Sequence, residues 1–140
     1  MPNVIHLEAW GASSIASLNY ERAVFHRARI TVLARIGVGS IHLNDFTGHF
    51  NPDVIMPFGG YGLWGKRIAL EAGVGGALTS IVYPDENDFE PQRVQRAHGW
   101  CSIGIRGNIG EHVMARIAFT PIFEFARVDL TAGFGFGYQF

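Results

Sequence analysis

A-R-V-D-L-T-A-G-F-G-F-G-Y-Q-F, residues 126 to 140, alternates between two unlike faces and ends the chain on Phe140. Val128, Leu130, Ala132, Phe134, Phe136, Tyr138 and Phe140 share one face of an extended strand, and Arg127, Asp129, Thr131, Gly133, Gly135, Gly137 and Gln139 share the other. In water such an apolar face would need a partner layer, and the opposite face is too rich in glycine to make a good solvated surface. Against hydrocarbon the asymmetry is what a barrel-closing strand requires: apolar side outward, small residues into a narrow lumen.

The same division recurs upstream. Period-two alternation between turn signals gives strands over about 3 to 11, 14 to 25, 28 to 40, 53 to 63, 67 to 82, 95 to 107, 111 to 123 and 126 to 140. Ile68, Leu70, Ala72, Val74, Leu78 and Val82 oppose Ala69, Glu71, Gly73, Gly75, Ala77 and Thr79. Cys101, Ile103 and Ile105 oppose His98, Trp100, Ser102, Gly104 and Arg106; Val113, Ala115, Ile117, Phe119, Pro121 and Phe123 oppose His112, Met114, Arg116, Ala118 and Thr120. Over 53 to 63 the faces are ambiguous, because Val54, Met56 and Phe58 compete with Ile55, Pro57 and Tyr61. The connections 41 to 52 and 83 to 94 read as long polar loops, and those at His26-Arg27, Gly65-Lys66 and Asn108-Ile109-Gly110 as tight turns. In an up-and-down arrangement both long loops lie at one end, and the tight turns lie with the termini at the other.

Composition agrees. Charged residues are 16% of the 140, below the roughly 25% of ordinary soluble domains. Gly, at 18 residues, is well above the usual ~7%. The chain is expected to be one domain, 1–140. A net charge of -1 without a clustered basic face argues against nucleic acid as a partner. The lone Cys101 forms no internal disulfide and reads as a packed apolar side chain. No apolar run reaches the ~18 residues of a membrane helix. The start, M-P-N-V-I-H-L-E, lacks the basic and apolar regions of a signal peptide, so an exported protein would have lost its signal from this chain.

A soluble eight-stranded barrel binding an apolar ligand, lipocalin-like, also alternates, and only residue types separate it from a membrane barrel. Here the polar face pairs glycine and alanine with isolated charges, which suits a crowded interior where charges must pair. Glu8, Glu21 and Glu71 are expected on that interior face with Arg35, Arg106 and Arg116. Arginine's planar fork can bridge two carboxylates. A salt-bridged plug is the preferred reading over a selectivity filter, because narrow eight-stranded barrels leave little room for a channel.

Other constellations are weak. His42, Asp45, His49 and Asp53 match no metal-ligand spacing, and Asp85, Glu86, Asp88 and Glu90 lack the glycine turn of an EF-hand, so no metal site is assigned. His98 and Ser102 share a face but stand about 13 Å apart along a strand. His112 could approach Ser102 from a neighbouring strand as a lipid hydrolase pair, although no nucleophile elbow is present. G-F-G-F-G has no G-K-S/T and no following helix, so no cofactor is implied. Phe25, Tyr61, Trp64, Tyr138 and Phe140 fall near the tight-turn end, where an aromatic girdle would sit.

The closing strand also carries a glycine followed by aromatics at the antepenultimate and last positions: Gly135, Tyr138 and Phe140. On this motif the chain resembles the small outer-membrane β-barrel proteins of Gram-negative bacteria, the OmpA/OmpX-type class. S-L-N-Y-E-R (Ser17 to Arg22) and F-T-P-I-F (Phe119 to Phe123) are similar to segments of such barrels. Gly133 stands where the assembly signal usually has a polar residue. The resemblance implies an all-β, eight-stranded antiparallel up-and-down transmembrane barrel in the bacterial outer membrane. Its partners would be outer-membrane lipids and, during insertion, the barrel-assembly machinery. It implies no single activity, since the class has none. The expected role is an integral envelope protein whose external loops meet surface partners; the soluble carrier and an outer-membrane lipid-modifying enzyme are the alternatives.

Overall fold

The computed structural model describes residues 3–12, 15–85, 90–124 and 127–140. Eight strands follow in chain order: β1 (Asn3–Ala9), β2 (Ala16–Arg27), β3 (Ile30–Ser40), β4 (Val54–Gly65), β5 (Ile68–Pro84), β6 (Pro91–Ile109), β7 (Val113–Glu124) and β8 (Arg127–Gln139). Each pairs antiparallel with the next, and β8 returns to β1, so the ring is closed. The seam runs from Val4↔Gln139 to Ala9↔Phe134. Asn3 and Phe140 extend it by exchanging backbone hydrogen bonds of 2.8 and 2.9 Å. Closure leaves no edge here to recruit another chain.

The alternation sorts as the residue types require. Outside, Ile36, Leu70, Ile103, Leu130 and Phe136 are each 61–68% exposed; inside, the six expected charges are 0–4% exposed. Glu71 and Arg106, whose direction separates a membrane barrel from a soluble one, both point into the lumen. A barrel built for water places its charges the other way round.

Three regions depart from simple alternation. In β4 the ambiguity is settled with Ile55, Pro57 and Tyr61 inward and Met56 and Phe58 outward. In β2, counting by twos from Glu21 through Ala23 would turn Phe25 inward. A register shift between Ala23 and Phe25 leaves Val24 unopposed, and both Val24 and Phe25 face out. Such a bulge re-aims every side chain beyond it. The third departure corrects the loop expected over 83 to 94. There β5 and β6 keep pairing to Pro84↔Pro91, so six of its eight described residues are paired strand. Ile81, Val82 and Tyr83 favour extended backbone, and the guanidinium of Arg96 lies 5.4 Å from the Tyr83 ring centre. Glu86 and Asp88 of the acidic stretch lie outside the described residues.

Candidate functional site

Six strands send one charge each to the same level of the lumen: Glu8 from β1, Glu21 from β2, Arg35 from β3, Glu71 from β5, Arg106 from β6 and Arg116 from β7. They join in an unbroken alternating chain. Arg35 pairs with Glu8, whose other oxygen lies 3.4 Å from Arg116 Nη1. Arg116 pairs in turn with Glu71, which accepts from Arg106 Nε at 2.8 Å. Arg106 completes the chain with a two-pronged contact to Glu21 at 2.6 and 3.1 Å. The guanidinium fork permits this, since one arginine can serve two carboxylates in fixed directions.

The remaining two strands make room for the belt. From β4, Tyr61 accepts a hydrogen bond from Arg35, and its ring lies 4.9 Å from the Arg116 guanidinium. From β8, Gly135 contributes space: a Cβ there would lie 2.6 Å from Arg116 Cγ. Asn19 supports the belt by accepting from Arg35 Nε at 3.0 Å while donating to Ser17 Oγ at 2.9 Å. Asn19 and Tyr61 were not singled out in the sequence as belt members. A polar residue two positions before Glu21 on the same strand face was the signal for Asn19.

On the loop side of the belt the lumen changes character. Trp100 stacks on Tyr61 with ring centres 5.4 Å apart, and its indole donates to Gly76 O at 3.0 Å. Beyond this pair opens a chamber of about 560 Å³ walled by Ile41, Ile55, Ile81 and Ile122, with His98, Thr79 and Thr131. On the opposite side of the belt a vestibule of about 510 Å³ opens toward the tight turns, lined by Leu33, Lys66, Arg106 and Asn108. Nothing in the alternation pattern distinguishes the chamber: Ile81 and Ile122 come from strands whose inward faces are elsewhere largely small or polar, Ile55 from the ambiguous β4, and Ile41 from beyond the end of β3.

No family model matches the sequence, and no curated relative matches it either. Among solved structures the chain is similar to the N-terminal β-barrel domain of Pseudomonas aeruginosa OprF, with TM-score 0.67, 13% identity, and 99% of this chain and 96% of that one covered. It is similar also to the crystal structure of Ail, the attachment invasion locus protein of Yersinia pestis, with TM-score 0.58, 10% identity, and 99% and 94% covered. The backbone structure of Ail in a phospholipid bilayer nanodisc gives TM-score 0.58 at 9% identity, with 99% of each chain covered. The fold is that of the small outer-membrane barrels. At such identities the likeness carries the architecture and leaves residue roles to be argued from this chain alone.

On that fold the other expected sites divide. Phe25 and Trp64 are exposed at the tight-turn end, as are Tyr138 and Phe140. Tyr61 is not with them. At 2% exposure it is luminal, because β4 takes the face that carries Ile55 and Pro57 inward, and it belongs to the belt instead of a girdle. Gly135, Tyr138 and Phe140 lie on the seam strand, with Tyr138 stacked between His112 and Phe140 at ring separations of 5.3 and 6.4 Å.

The hydrolase pair does not assemble. Ser102 Oγ accepts from Thr120 Oγ1 at 3.3 Å, whereas His112 sits at the tight-turn end with Nδ1 3.2 Å from Gln139 O. The loop 41–53 also uses its ligand-type side chains separately. His42 Nδ1 lies 3.1 Å from Asp53 Oδ2, and Asp53 Oδ1 accepts from Val82 N at 3.0 Å. Asp45 accepts from Thr47 Oγ1 at 2.6 Å, from Thr47 N at 2.9 Å and from His49 N at 3.1 Å. The Thr47 hydroxyl, helped by these amides, holds the Asp45 carboxyl below the usual range. Arg93 of β6 ties the same loop down through Asn51 Oδ1 and Pro52 O.

Proposed function

We propose that this chain is an integral protein of the bacterial outer membrane, its barrel spanning the bilayer with the lumen closed at the charge belt. The observation that carries this reading is the inversion of the barrel, with large apolar side chains all round the outside and six paired charges within. Hydrocarbon is the only ordinary environment that rewards such an exterior, and a closed barrel satisfies its backbone there without water. Phe25, Trp64, Tyr138 and Phe140 form the aromatic girdle at the tight-turn interface, and Gly135, Tyr138 and Phe140 present the strand that the barrel-assembly machinery reads.

The working surface is the loop end. The loop 41–53 is braced from below by Arg93 and Asp53, yet it holds Leu43, Phe46 and Phe50 at 64%, 51% and 78% exposure. Ordered apolar side chains on a loop beyond the membrane are suited to contact with a surface partner. A structural and interaction role therefore fits better than chemistry, since Ser102, His98 and His112 form no nucleophile-base pair.

Planar-bilayer recording tests the closed lumen: the reconstituted protein should show no large steady conductance, and such a conductance would overturn the plug. The membrane assignment fails if the purified chain stays folded and monomeric in buffer without detergent.

A further inference from the structure

We infer that the loop-end chamber is a binding site for the acyl chain of an outer-leaflet lipid, entered sideways through a gap in the wall beside β8. This rests on the membrane reading above.

The gap follows from unequal strand lengths. β1 ends at Ala9, opposite Phe134, while β8 runs on to Arg127. Among the described residues, no strand pairs with the β1-facing edge of β8 beyond Phe134. The connection after β1 turns aside at Trp10, whose φ of 52° is left-handed, and crosses the end of the paired seam where Gly11 meets Gly133. Only small residues fit that crossing: a Cβ on Gly133 would lie 2.8 Å from Gly11 Cα.

Trp10, Ile15 and Leu130 border the chamber and are also 60%, 51% and 68% exposed on the barrel's outside. The chamber therefore continues into the lipid-facing surface instead of opening only upward. From Phe140 to Leu130, at ~3.3 Å per residue and ~40° tilt, the strand climbs about 25 Å, the height of a barrel's apolar band. The opening is thus level with the upper end of that band, where the acyl chains of the outer leaflet meet their headgroups.

What lies behind the opening suits a chain. Ile41, Ile55, Ile81 and Ile122 give the chamber a largely apolar lining, and apolar surface of this kind favours apolar occupants. The volume, about 560 Å³, falls within the range of ligand pockets. Ile55 and Ala12, which line the chamber, belong to the same buried cluster as Trp100 and Tyr61, so its inner wall packs against the stacked pair. Thr79, Thr131, Glu124 and Asp129 also border the space, and among its polar atoms His98 Nε2 is buried without a hydrogen-bond partner. A lipid ester or hydroxyl oxygen near the mouth would supply one.

Tryptophan quenching by bilayers of phosphatidylcholine brominated near the headgroup or at mid-chain tests this. W10F/W64F leaves Trp100 as sole reporter at the chamber floor, and W10F/W100F leaves Trp64 on the exterior. Folding of each variant is checked by its heat-modifiable gel migration. Trp100 should lose most of its emission in brominated bilayers and recover it when T131F or T79F fills the chamber. Two independent fillings guard against one that fails to fold. An unquenched Trp100 beside a quenched Trp64 would overturn the chain site and leave the membrane reading standing. Quenching of Trp100 that neither filling relieves would also overturn it, because the bromines would then act through the wall. An unquenched Trp64 would remove the membrane reading, and the chain site with it.

Discussion

The belt and the chamber share one lumen and much the same strands, yet one is filled by charge and the other is walled by isoleucine. At the belt each of six strands delivers a charge whose partner comes from another strand, so no ion is left unpaired within the ring. Toward the loops the lumen is left with space instead of contacts. The difference teaches that an interior polar face is not one environment. Charge fills the lumen where the chain completes a network, while toward the loops isoleucines line a space whose rim includes Glu124 and Asp129.

Removing a belt member should have the largest effect. Glu71 serves both Arg106 and Arg116, so Glu71→Ala leaves Arg106 with Glu21 alone and Arg116 with Glu8 alone, one buried positive charge in excess, and should cost about 3–5 kcal/mol in urea unfolding from lipid bilayers. A cost near zero would mean that water reaches the belt and the lumen is not closed.

The chamber should be more forgiving. Ile55→Ala is expected at the low end of buried truncations, about 2 kcal/mol, because the side chain lost borders a space that is already open. A cost equal to that of Glu71→Ala would show that the chamber is packed as tightly as the belt.

Tyr61→Phe divides the two regions at their boundary. It keeps the stacking on Trp100 and the ring beside Arg116 but removes the hydroxyl that Arg35 donates to, for an expected loss of about 1 kcal/mol. Backbone chemical shifts should move along the belt and stay put in the chamber; the reverse pattern would place Tyr61's role in the apolar half.

The smallest effect lies outside the lumen. Asp45 has its carboxyl held below the usual range by the Thr47 hydroxyl. A depressed folded value means that the contribution is full above the ordinary aspartate range and is lost as pH falls through the lowered one. Thr47 and His49 amide signals should therefore hold through mildly acidic pH and shift only below the ordinary aspartate range. In Thr47→Ala the shift should move to higher pH, and an unmoved profile would remove Thr47 as the cause.

Much of this is legible in the sequence alone. Alternation with glycine on one face and aromatics on the other placed Val128 to Phe140 on the outside, and the scatter of single charges on small-residue faces marked Glu8, Glu21, Glu71, Arg35, Arg106 and Arg116 as luminal. Val24 and Tyr61 show where this reading ends. Period two is a local rule: it cannot register the one-residue insertion at Val24, nor choose between two apolar faces in β4. Likewise 83 to 94 read as a loop because prolines and acids mark it, although cross-strand pairing keeps six of its eight described residues extended.

The sequence by itself determined that this chain is a barrel turned inside out, because the two-residue period and the choice of side chain for each face are properties of single strands. Only the tertiary structure decided which charges meet, that Gly135 makes room for Arg116, and that β8 outruns β1 at the seam. Those depend on register and stagger between strands, and no strand carries that information within itself.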